Sequence, residues 1–342
     1  MPISMDVFAA DGFSTRELSD AIRIIPNRWG RIGQLGLFTP RAIRTSSFQI
    51  ERLNGQLNLV SSSPRGTPAP GAKRGKRDLK SFKTDRFARQ SRITPEDISG
   101  IRAFGETSEL MQVQDEVLDR QTQLRAEMDI TREYLRVGAL RGQVVDPSDD
   151  MIVDLFDVFD ISQKEVDFDF DTEGVSTRTK VAAIRRHIEL NLLGDVMTGI
   201  HALCSTDFMD KLMTDPEVER DLDRRSNTVE YTEDGKKLIR FEGVTFEEYL
   251  ASAQVIDEQG EAHTRDFIPT GDARFFPVGT VSTFRDVNSP MDHMDYVNTP
   301  GEPFYSQVIR DNSGRWADVE AEMNTVPICM RPAVLVRGHS SA

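Results

Sequence analysis

The 342-residue sequence predicts an α+β fold, in which helices and strands are mixed without a regular βαβ alternation. Residues 107–141 carry apolar side chains every three or four positions, which is typical of one face of a long helix. Residues 151–161 and 166–172 instead alternate apolar and acidic side chains, as half-buried strands do. The sequence contains no internal repeat, and its length suits one large domain or two of ordinary size.

The N-terminal part of the chain is predicted to be extended and rich in β-structure. Residues 1–30 have the composition of a polar arm, which ends in a turn at Pro26 and Gly30. Residues 41–63 alternate as strands do, and Asn54-Gly55 is a hairpin turn signal.

A basic segment and a long helix follow. Several prolines and glycines at the start of the basic segment, residues 65–92, are incompatible with a helix or a central strand. Thr94-Pro95 is a helix start, with a capping hydroxyl followed by proline at the first helical position. The helix predicted at 107–141 ends at Gly138 and Gly142 and is about 50 Å long.

The C-terminal half is predicted to mix short helices with strands. Residues 176–194 form a capped amphipathic helix, and residues 205–213 and 215–223 form two shorter helices. The tail at 326–336 is predicted to be a buried strand that its two prolines break.

Charge is distributed unevenly along the chain. The formal net charge is −14, yet the segment 65–92 contains ten Lys/Arg and two Asp, a net of +8. The remaining residues therefore carry −22, which argues against general nucleic-acid binding by the body of the protein. We expect the basic segment to bind a negatively charged partner. Its ten candidate binding residues are Arg65, Lys73, Arg74, Lys76, Arg77, Lys80, Lys83, Arg86, Arg89 and Arg92.

Several functional classes find no support in the sequence. No run of about 18 apolar residues is present, so no membrane-spanning helix is expected. The first twenty residues contain acids where a secretory signal peptide needs basic residues and an apolar core. Cys204 and Cys329 lack a paired spacing and fit two reduced thiols better than a disulfide framework.

No metal or cofactor site is predicted. Asp167, Asp169 and Asp171 have the spacing that opens a calcium-binding loop, but the glycine and glutamate that the loop requires are replaced. We interpret these residues as the acidic face of a strand. His201 and Cys204 lie three positions apart without a second pair of ligands, and we interpret them as a core histidine and a buried thiol.

No catalytic site is predicted either. His293 lies between acids in a loop rich in Pro, Gly and Asn, where a histidine is more often simply solvated. No nucleophile elbow or other local signature of a catalytic triad is present. The sequence therefore offers no positive reason to expect an enzyme.

Three interpretations of the basic segment remain open when its residues are considered alone. It can be a solvated loop. It can bind nucleic acid through phosphate contacts, with Phe82 and Phe87 stacking on bases. It can instead reach the acidic surface of another copy of the same protein, which is a contact that needs no other partner.

The C-terminal third carries a more specific signal. Its motifs are Asp266-Phe267-Ile268-Pro269, Val278-Gly279, the loop 298–305, and the segment Glu320–Val336 with Arg331-Pro332. Through these motifs the chain resembles the major capsid protein E family of tailed bacteriophages. The order of elements is also similar along nearly the whole chain, from the N-terminal arm to the terminal strand.

The resemblance implies a Hong Kong 97-type phage capsid fold within the α+β class. In such a fold an extended loop reaches over a neighbouring subunit, and a spine helix belongs to the peripheral domain. The implied parts are an N-terminal arm at 1–30, a peripheral domain at 31–149 with its extended loop at about 46–92 and its spine helix at about 107–141, an axial domain at 150–310, and a return to the peripheral domain at 311–342.

The resemblance also implies a function without catalysis. The chain is expected to be a major head protein that assembles as hexamers and pentamers into an icosahedral shell around double-stranded DNA. The ten basic residues are then intersubunit contacts. The implied partners are a separate scaffolding protein, a portal, DNA through non-specific proximity and, in some heads, a decoration or cementing protein. Its expected location is the virion, after assembly in the host cytoplasm, and a nucleic-acid-binding protein acting through 65–92 is the alternative.

Overall fold

The computed structural model of the chain describes eight stretches of the sequence. These are residues 13–25, 30–53, 77–99, 109–172, 174–225, 230–231, 235–256 and 262–340. The chain divides into two compact units, each made of three separate stretches. Unit 1 comprises Met1–Ser47, Lys83–Arg136 and Arg285–Ile328, and unit 2 comprises Phe48–Phe82, Val137–Phe284 and Cys329–Ala342.

Helices and strands are mixed along the chain, which confirms the predicted α+β class. The helices are α1 (Thr15–Ile24), α2 (Arg31–Gln34), α3 (Pro95–Ser99), α4 (Glu109–Arg141), α5 (Leu155–Val158), α6 (Thr177–Asn191), α7 (Thr206–Thr214) and α8 (Pro216–Arg225). The strands are β1 (Thr39–Ala42), β2 (Ser47–Leu53), β3 (Arg77–Lys83), β4 (Asp85–Ile93), β5 (Gln143–Val145), β6 (Met151–Asp154), β7 (Lys164–Asp167), β8 (Gly199–Cys204), β9 (Glu230–Tyr231), β10 (Lys237–Phe241), β11 (Val244–Glu248), β12 (Ser252–Ile256), β13 (Ala262–Asp266), β14 (Asp272–Val278), β15 (Phe284–Asn288), β16 (Tyr305–Arg310), β17 (Ala317–Cys329) and β18 (Val336–His339). Within these stretches, no helix combines the length and the apolar character needed to cross a membrane.

The sheet of unit 1 joins strands that are far apart in sequence. Its order is β1-β15-β17-β16, and β4 also pairs with β17. The antiparallel ladder of β4 and β17 runs from Ile93 opposite Ala317 to Asp85 opposite Thr325. All thirteen residues of β17 are buried, so this strand is the centre of the sheet.

The main sheet of unit 2 has seven strands in the order β7-β18-β14-β8-β11-β10-β9. Its core contains an aromatic cluster of four fully buried rings, Phe168, Phe208, Phe246 and Phe275. Phe168 and Phe275 stack with their centroids 6.0 Å apart, and Phe208 meets Phe168 edge-on at 5.0 Å. Such pairs add directional stabilisation to the burial of apolar area.

Helix α4 confirms the predicted long helix. Its apolar residues Val113, Val117 and Leu124 are buried, as the periodicity predicts. Gly142 ends the helix with φ 87°, and a side chain there would place its Cβ 2.1 Å from the ring of Phe156. Glycine is therefore required at this position for both backbone and steric reasons.

The three helices predicted between residues 176 and 223 are present with local caps. The hydroxyl of Ser176 accepts a hydrogen bond from the backbone N–H of Thr179, and the hydroxyl of Ser205 accepts one from Phe208. The carboxylate of Asp215 accepts from the N–H of Glu217 at 2.8 Å, which caps α8. Capping of this kind depends on neighbouring residues, so the sequence could predict it.

Two helices lie where the sequence predicted other structure. The arm at 1–30 contains α1, because Ser14 caps it and the spacing of Leu18 and Ile22 buries one face. The predicted strand at 151–161 stops at Asp154, whose carboxylate accepts from the N–H groups of the next helical turn and begins α5.

The predicted tail strand also needs correction. Strand β2 pairs with β3, and the hairpin turn predicted at Asn54-Gly55 lies outside the described residues. Pro327 lies within β17 instead of breaking it. The ladder with β4 ends at Thr325, so the donor that proline lacks is not needed on that side.

Candidate assembly site

The ten predicted contact residues are spread over described and undescribed parts of the chain. Arg65, Lys73, Arg74 and Lys76 lie outside the described residues, and Arg77 is the first residue of β3. Lys80 and Lys83 also lie on β3, half-buried and exposed respectively. Arg86, Arg89 and Arg92 lie on β4. From Arg77 onward the basic segment forms strands, because β3 pairs with β2 and β4 pairs with β17.

Strand β17 presents a row of buried acids to the arginines of β4. Asp318, Glu320 and Glu322 alternate along the strand and so point to one face of the sheet. They are only 3%, 8% and 1% exposed. Buried carboxylates require charged or hydrogen-bonding partners, so this row, here called the acid ladder, needs basic partners.

Arg92 pairs with the first acid of the ladder. Its guanidinium donates two parallel hydrogen bonds to Asp318, at 2.9 and 3.0 Å. Its charged carbon lies 4.1 Å from the ring centroid of Trp316, which is a cation–π distance. The hydrogen bonds to Asp318 raise the pKa of Arg92 above its ordinary value.

Arg86 bridges the other two acids. Its guanidinium donates to Glu320 at 2.6 Å and to Glu322 at 2.7 Å. Glu322 also accepts from the backbone N–H of Asp292 at 3.1 Å and from the side-chain amide of Asn324. Burial lowers the pKa of Arg86, but the two carboxylates raise it by more. Each acid of the ladder thus has an arginine partner within its own chain.

Arg89 makes a weaker contact. Its guanidinium lies 3.1 Å from the carboxylate of Glu127 on α4, and both side chains are more than half exposed. Exposed pairs of this kind contribute little to stability. The C-terminal end of the basic segment is nevertheless anchored to unit 1 through three arginines, a role that the sequence did not indicate.

A groove of about 410 Å³ opens in unit 1 where β3 meets β4. Its basic side chains are Arg44, Lys83 and Arg86, and Thr84 lies at the turn between the strands. The backbone N–H of Thr84 donates to the carbonyl of Ser46 at 3.0 Å, and its hydroxyl lies 2.8 Å from that of Ser289. The turn is therefore held in place at the edge of the groove.

A second charged cluster, which the sequence did not reveal, is buried along α4. Arg132 and Arg136 both donate to Asp286 on β15, at 3.0 and 2.5 Å. Burial raises the pKa of Asp286, but these two guanidinium groups lower it by more, so the net shift is downward. Arg125 donates to Asp129 at 3.0 Å and lies 3.6 Å from the ring centroid of Phe304.

A sequence signal for this cluster does exist. Arg125, Asp129, Arg132 and Arg136 follow one another at helical spacings of three and four, close to the apolar stripe. The partner Asp286 could not be identified, since it lies 150 residues after Arg136.

The interpretation of Asp167, Asp169 and Asp171 as the acidic face of a strand is wrong. Strand β7 ends at Asp167, and the backbone of Asp169 is left-handed, with φ 43°.

The interpretations of His201 and the two cysteines are confirmed. His201 is a core residue, with Nε2 2.9 Å from a carboxylate oxygen of the buried Glu247. Cys204 and Cys329 are buried free thiols. Among the residues that the structure describes, no group of three or more His, Cys, Asp or Glu could hold a metal ion.

Comparison with known proteins shows relatives along nearly the whole chain. The major capsid protein of Pseudomonas phage KPP10 is 26% identical and covers 97% of this chain and 98% of its own length. The major capsid protein of Salmonella phage Felix O1 is 27% identical and covers 95% of each chain.

A solved structure shows the same fold. A protein proposed to be the capsid protein of an Escherichia coli CFT073 prophage superposes with a TM-score of 0.61 at 11% identity, over 96% of this chain and 99% of its own. The fold is therefore the Hong Kong 97-type capsid fold, as the resemblance implied. The model of the family "Phage major capsid protein E" matches residues 14–340. The chain belongs to this family of phage capsid proteins.

Proposed function

We propose that the chain is the subunit of an icosahedral head shell, in which it assembles as hexamers and pentamers around double-stranded DNA. The observation that carries this proposal is the family match over residues 14–340, with capsid relatives that align over nearly their full lengths. The expected location is the virion, after assembly in the host cytoplasm with a separate scaffolding protein and a portal. A decoration or cementing protein is a further candidate partner.

The test is electron microscopy of the chain expressed with its neighbouring phage genes. Closed shells or tubes made of capsomers are expected. If the chain stays a monomer at high concentration, even with its scaffold, the proposal is wrong.

We further propose that the basic segment acts as a strap between subunits. The pairing of Arg86 and Arg92 with the acid ladder supports an anchored end for this strap. Arg65, Lys73, Arg74 and Lys76 would then supply the contact with the neighbour, whose body is strongly acidic. In this proposal the extended loop spans about 46–92, the spine helix α4 belongs to the peripheral domain, and residues 150–310 form the axial domain.

Charge reversal distinguishes this strap from a DNA-binding segment. Replacing Lys73, Arg74, Lys76 and Arg77 by Glu places like charges against the acidic neighbour, and shell yield should fall. The defect should weaken at high salt, because exposed charges are screened within about 8–10 Å. A matched control replaces the same four residues by Gln. Normal shells that lose only their DNA would contradict the strap and support the nucleic-acid alternative, which the capsid relatives do not favour.

A further inference from the structure

One corner of unit 2 exposes four large aliphatic side chains. Leu190, in the last turn of α6, is 79% exposed, and Leu193 and Val196, in the loop that follows, are 51% and 68% exposed. Val281, in the loop between β14 and β15, is 71% exposed. We call these four residues the aliphatic corner. Large exposed apolar side chains that are grouped in one region commonly mark a contact site.

The two loops of the aliphatic corner are held together by one carboxylate. Asp195 accepts hydrogen bonds from the N–H groups of Val281 and Ser282 and from the hydroxyls of Ser282 and Thr283, at 2.9 to 3.4 Å. Burial raises the pKa of Asp195, but these donors lower it to about 2, so the carboxylate stays charged at neutral pH. Arg331 adds a hydrogen bond to the carbonyl of Leu192. The backbones of the two loops are therefore held in place by hydrogen bonds.

The backbone of Leu193 points to a role outside the fold. Its φ is 50°, in the left-handed region, where a residue other than glycine or asparagine is disfavoured by about 1–2 kcal/mol. A half-buried leucine gains about 1 kcal/mol from burial, which offsets only part of this cost. The exposed half of the side chain is available for a contact outside the subunit.

The aliphatic corner is also nearly neutral within a strongly acidic body. Residues 188–200 contain only two charged side chains, Glu189 and Asp195, and residues 276–284 contain none. Glu189 lies 3.8 Å from Arg185, and Asp195 lies 3.6 Å from Arg331. Outside the basic segment the chain carries −22. Two copies of such a chain repel each other least where they meet at a neutral, apolar surface.

We propose that the aliphatic corner is a contact between copies of this chain, with a second copy covering it in the assembled shell. This inference rests on the proposed shell function and adds a surface separate from the basic strap.

Thiol labelling of Val196→Cys tests the contact. Both native thiols are buried, and burial raises the pKa of each, that of Cys329 to about 12, so neither competes for a maleimide. The introduced thiol should react quickly in free subunits and about tenfold more slowly in shells. The matched control is Glu219→Cys on the exposed surface of α8, whose rate should be similar in both states.

Three other outcomes overturn the contact. Equal labelling of Val196→Cys in subunits and shells shows that no copy covers the corner. Slow labelling in both states shows that the chain's own segments cover it. If Glu219→Cys is protected in shells as strongly as Val196→Cys, assembly hinders the reagent generally and the corner is not a specific contact. Failure of the wild-type chain to form any particle would instead contradict the proposed shell function. This outcome is distinguishable because it is measured on the wild type, without any variant.

Leu193→Asn provides an independent readout. Asparagine tolerates the left-handed backbone, so the Tm of the free subunit should be unchanged or about 2 °C higher. Shell yield should nevertheless fall severalfold, because the corner loses an apolar contact that repeats in every copy. An unchanged yield of shells would overturn the proposed contact.

Discussion

The interior of unit 1 is stabilised by different interactions from the interior of unit 2. Unit 1 buries eight charged side chains among the described residues, namely Arg125, Asp129, Arg132, Glu133, Asp286, Asp318, Glu320 and Glu322. Unit 2 is the larger unit, yet it buries only five, namely Asp215, Glu247, Glu248, Asp272 and Arg274. Its core is instead dominated by aromatic rings around Phe275.

The difference indicates two kinds of stability. A buried ion pair stabilises only when both partners are charged and correctly placed, and it is costly when one partner is lost. Aromatic packing depends on apolar area and shape, and hence only weakly on pH and salt. We therefore expect unit 1 to respond to pH and salt more than unit 2 does.

Removing the shared carboxylate of the α4 cluster should have one of the two largest effects. Asp286→Ala leaves Arg132 and Arg136 without their partner, and should lower the free energy of unfolding of unit 1 by about 3–5 kcal/mol. The sequence of unit 2 contains no tryptophan, so tryptophan fluorescence during urea unfolding reports on unit 1. Asp295→Ala, at a largely exposed acid, is the matched control and should change it by less than about 0.5 kcal/mol. A loss below about 1 kcal/mol for Asp286→Ala would contradict the ionic account of this core.

Truncating the central ring of unit 2 should cost a similar amount for another reason. Phe275→Ala removes stacking with Phe168 and leaves a cavity, at a cost of about 3–5 kcal/mol. Hydrogen exchange of β8 and β14 peptides would measure the loss. The difference from wild type should be the same at low and high salt, and a strong salt dependence would remove the distinction between the units.

The pH dependence of the free energy of unfolding of unit 1 should reveal the contribution of Asp286. A folded pKa below the ordinary value means that the stabilisation is present above about pH 4 and is lost as the pH falls through the folded pKa. Asp286→Asn should therefore cost about 2 kcal/mol near neutral pH. The gap between this variant and wild type should close in acid. Burial raises the pKa of Asp129, which acts in the opposite sense in both proteins. A gap that is constant down to pH 2 would contradict this prediction.

The smallest effect is expected where the acid ladder meets solvent. Arg86 is about half exposed, so Arg86→Gln should cost only about 1 kcal/mol. Glu322 retains two other donors, from Asp292 and Asn324. The cost, measured by urea titration, should shrink in 1 M salt. A loss as large as that of Asp286→Ala would show that the ladder behaves like the buried cluster.

Helices with local sequence signals could be predicted before the structure was known. The apolar periodicity of α4 and the capping residues of α6, α7 and α8 act over one or two helical turns, so these helices could be predicted with nearly correct ends. Two predictions were wrong because a local helix cap was overlooked. Ser14 caps a helix in the predicted polar arm, and Asp154 caps a helix within the predicted strand at 151–161. The family resemblance was equally readable, because its motifs are short and contiguous.

The pairing of charged residues depends instead on contacts between segments that are far apart in sequence. Arg92 and Asp318 are 226 residues apart, and Arg132 and Asp286 are 154 apart, so no local pattern could pair them. The sequence located ten basic residues but not which of them would be neutralised within the chain. That outcome depends on the antiparallel register of β4 with β17, which places Arg92 opposite Asp318. Register is set by sheet packing between distant strands, and a buried acid then stabilises whichever arginine the register brings to it.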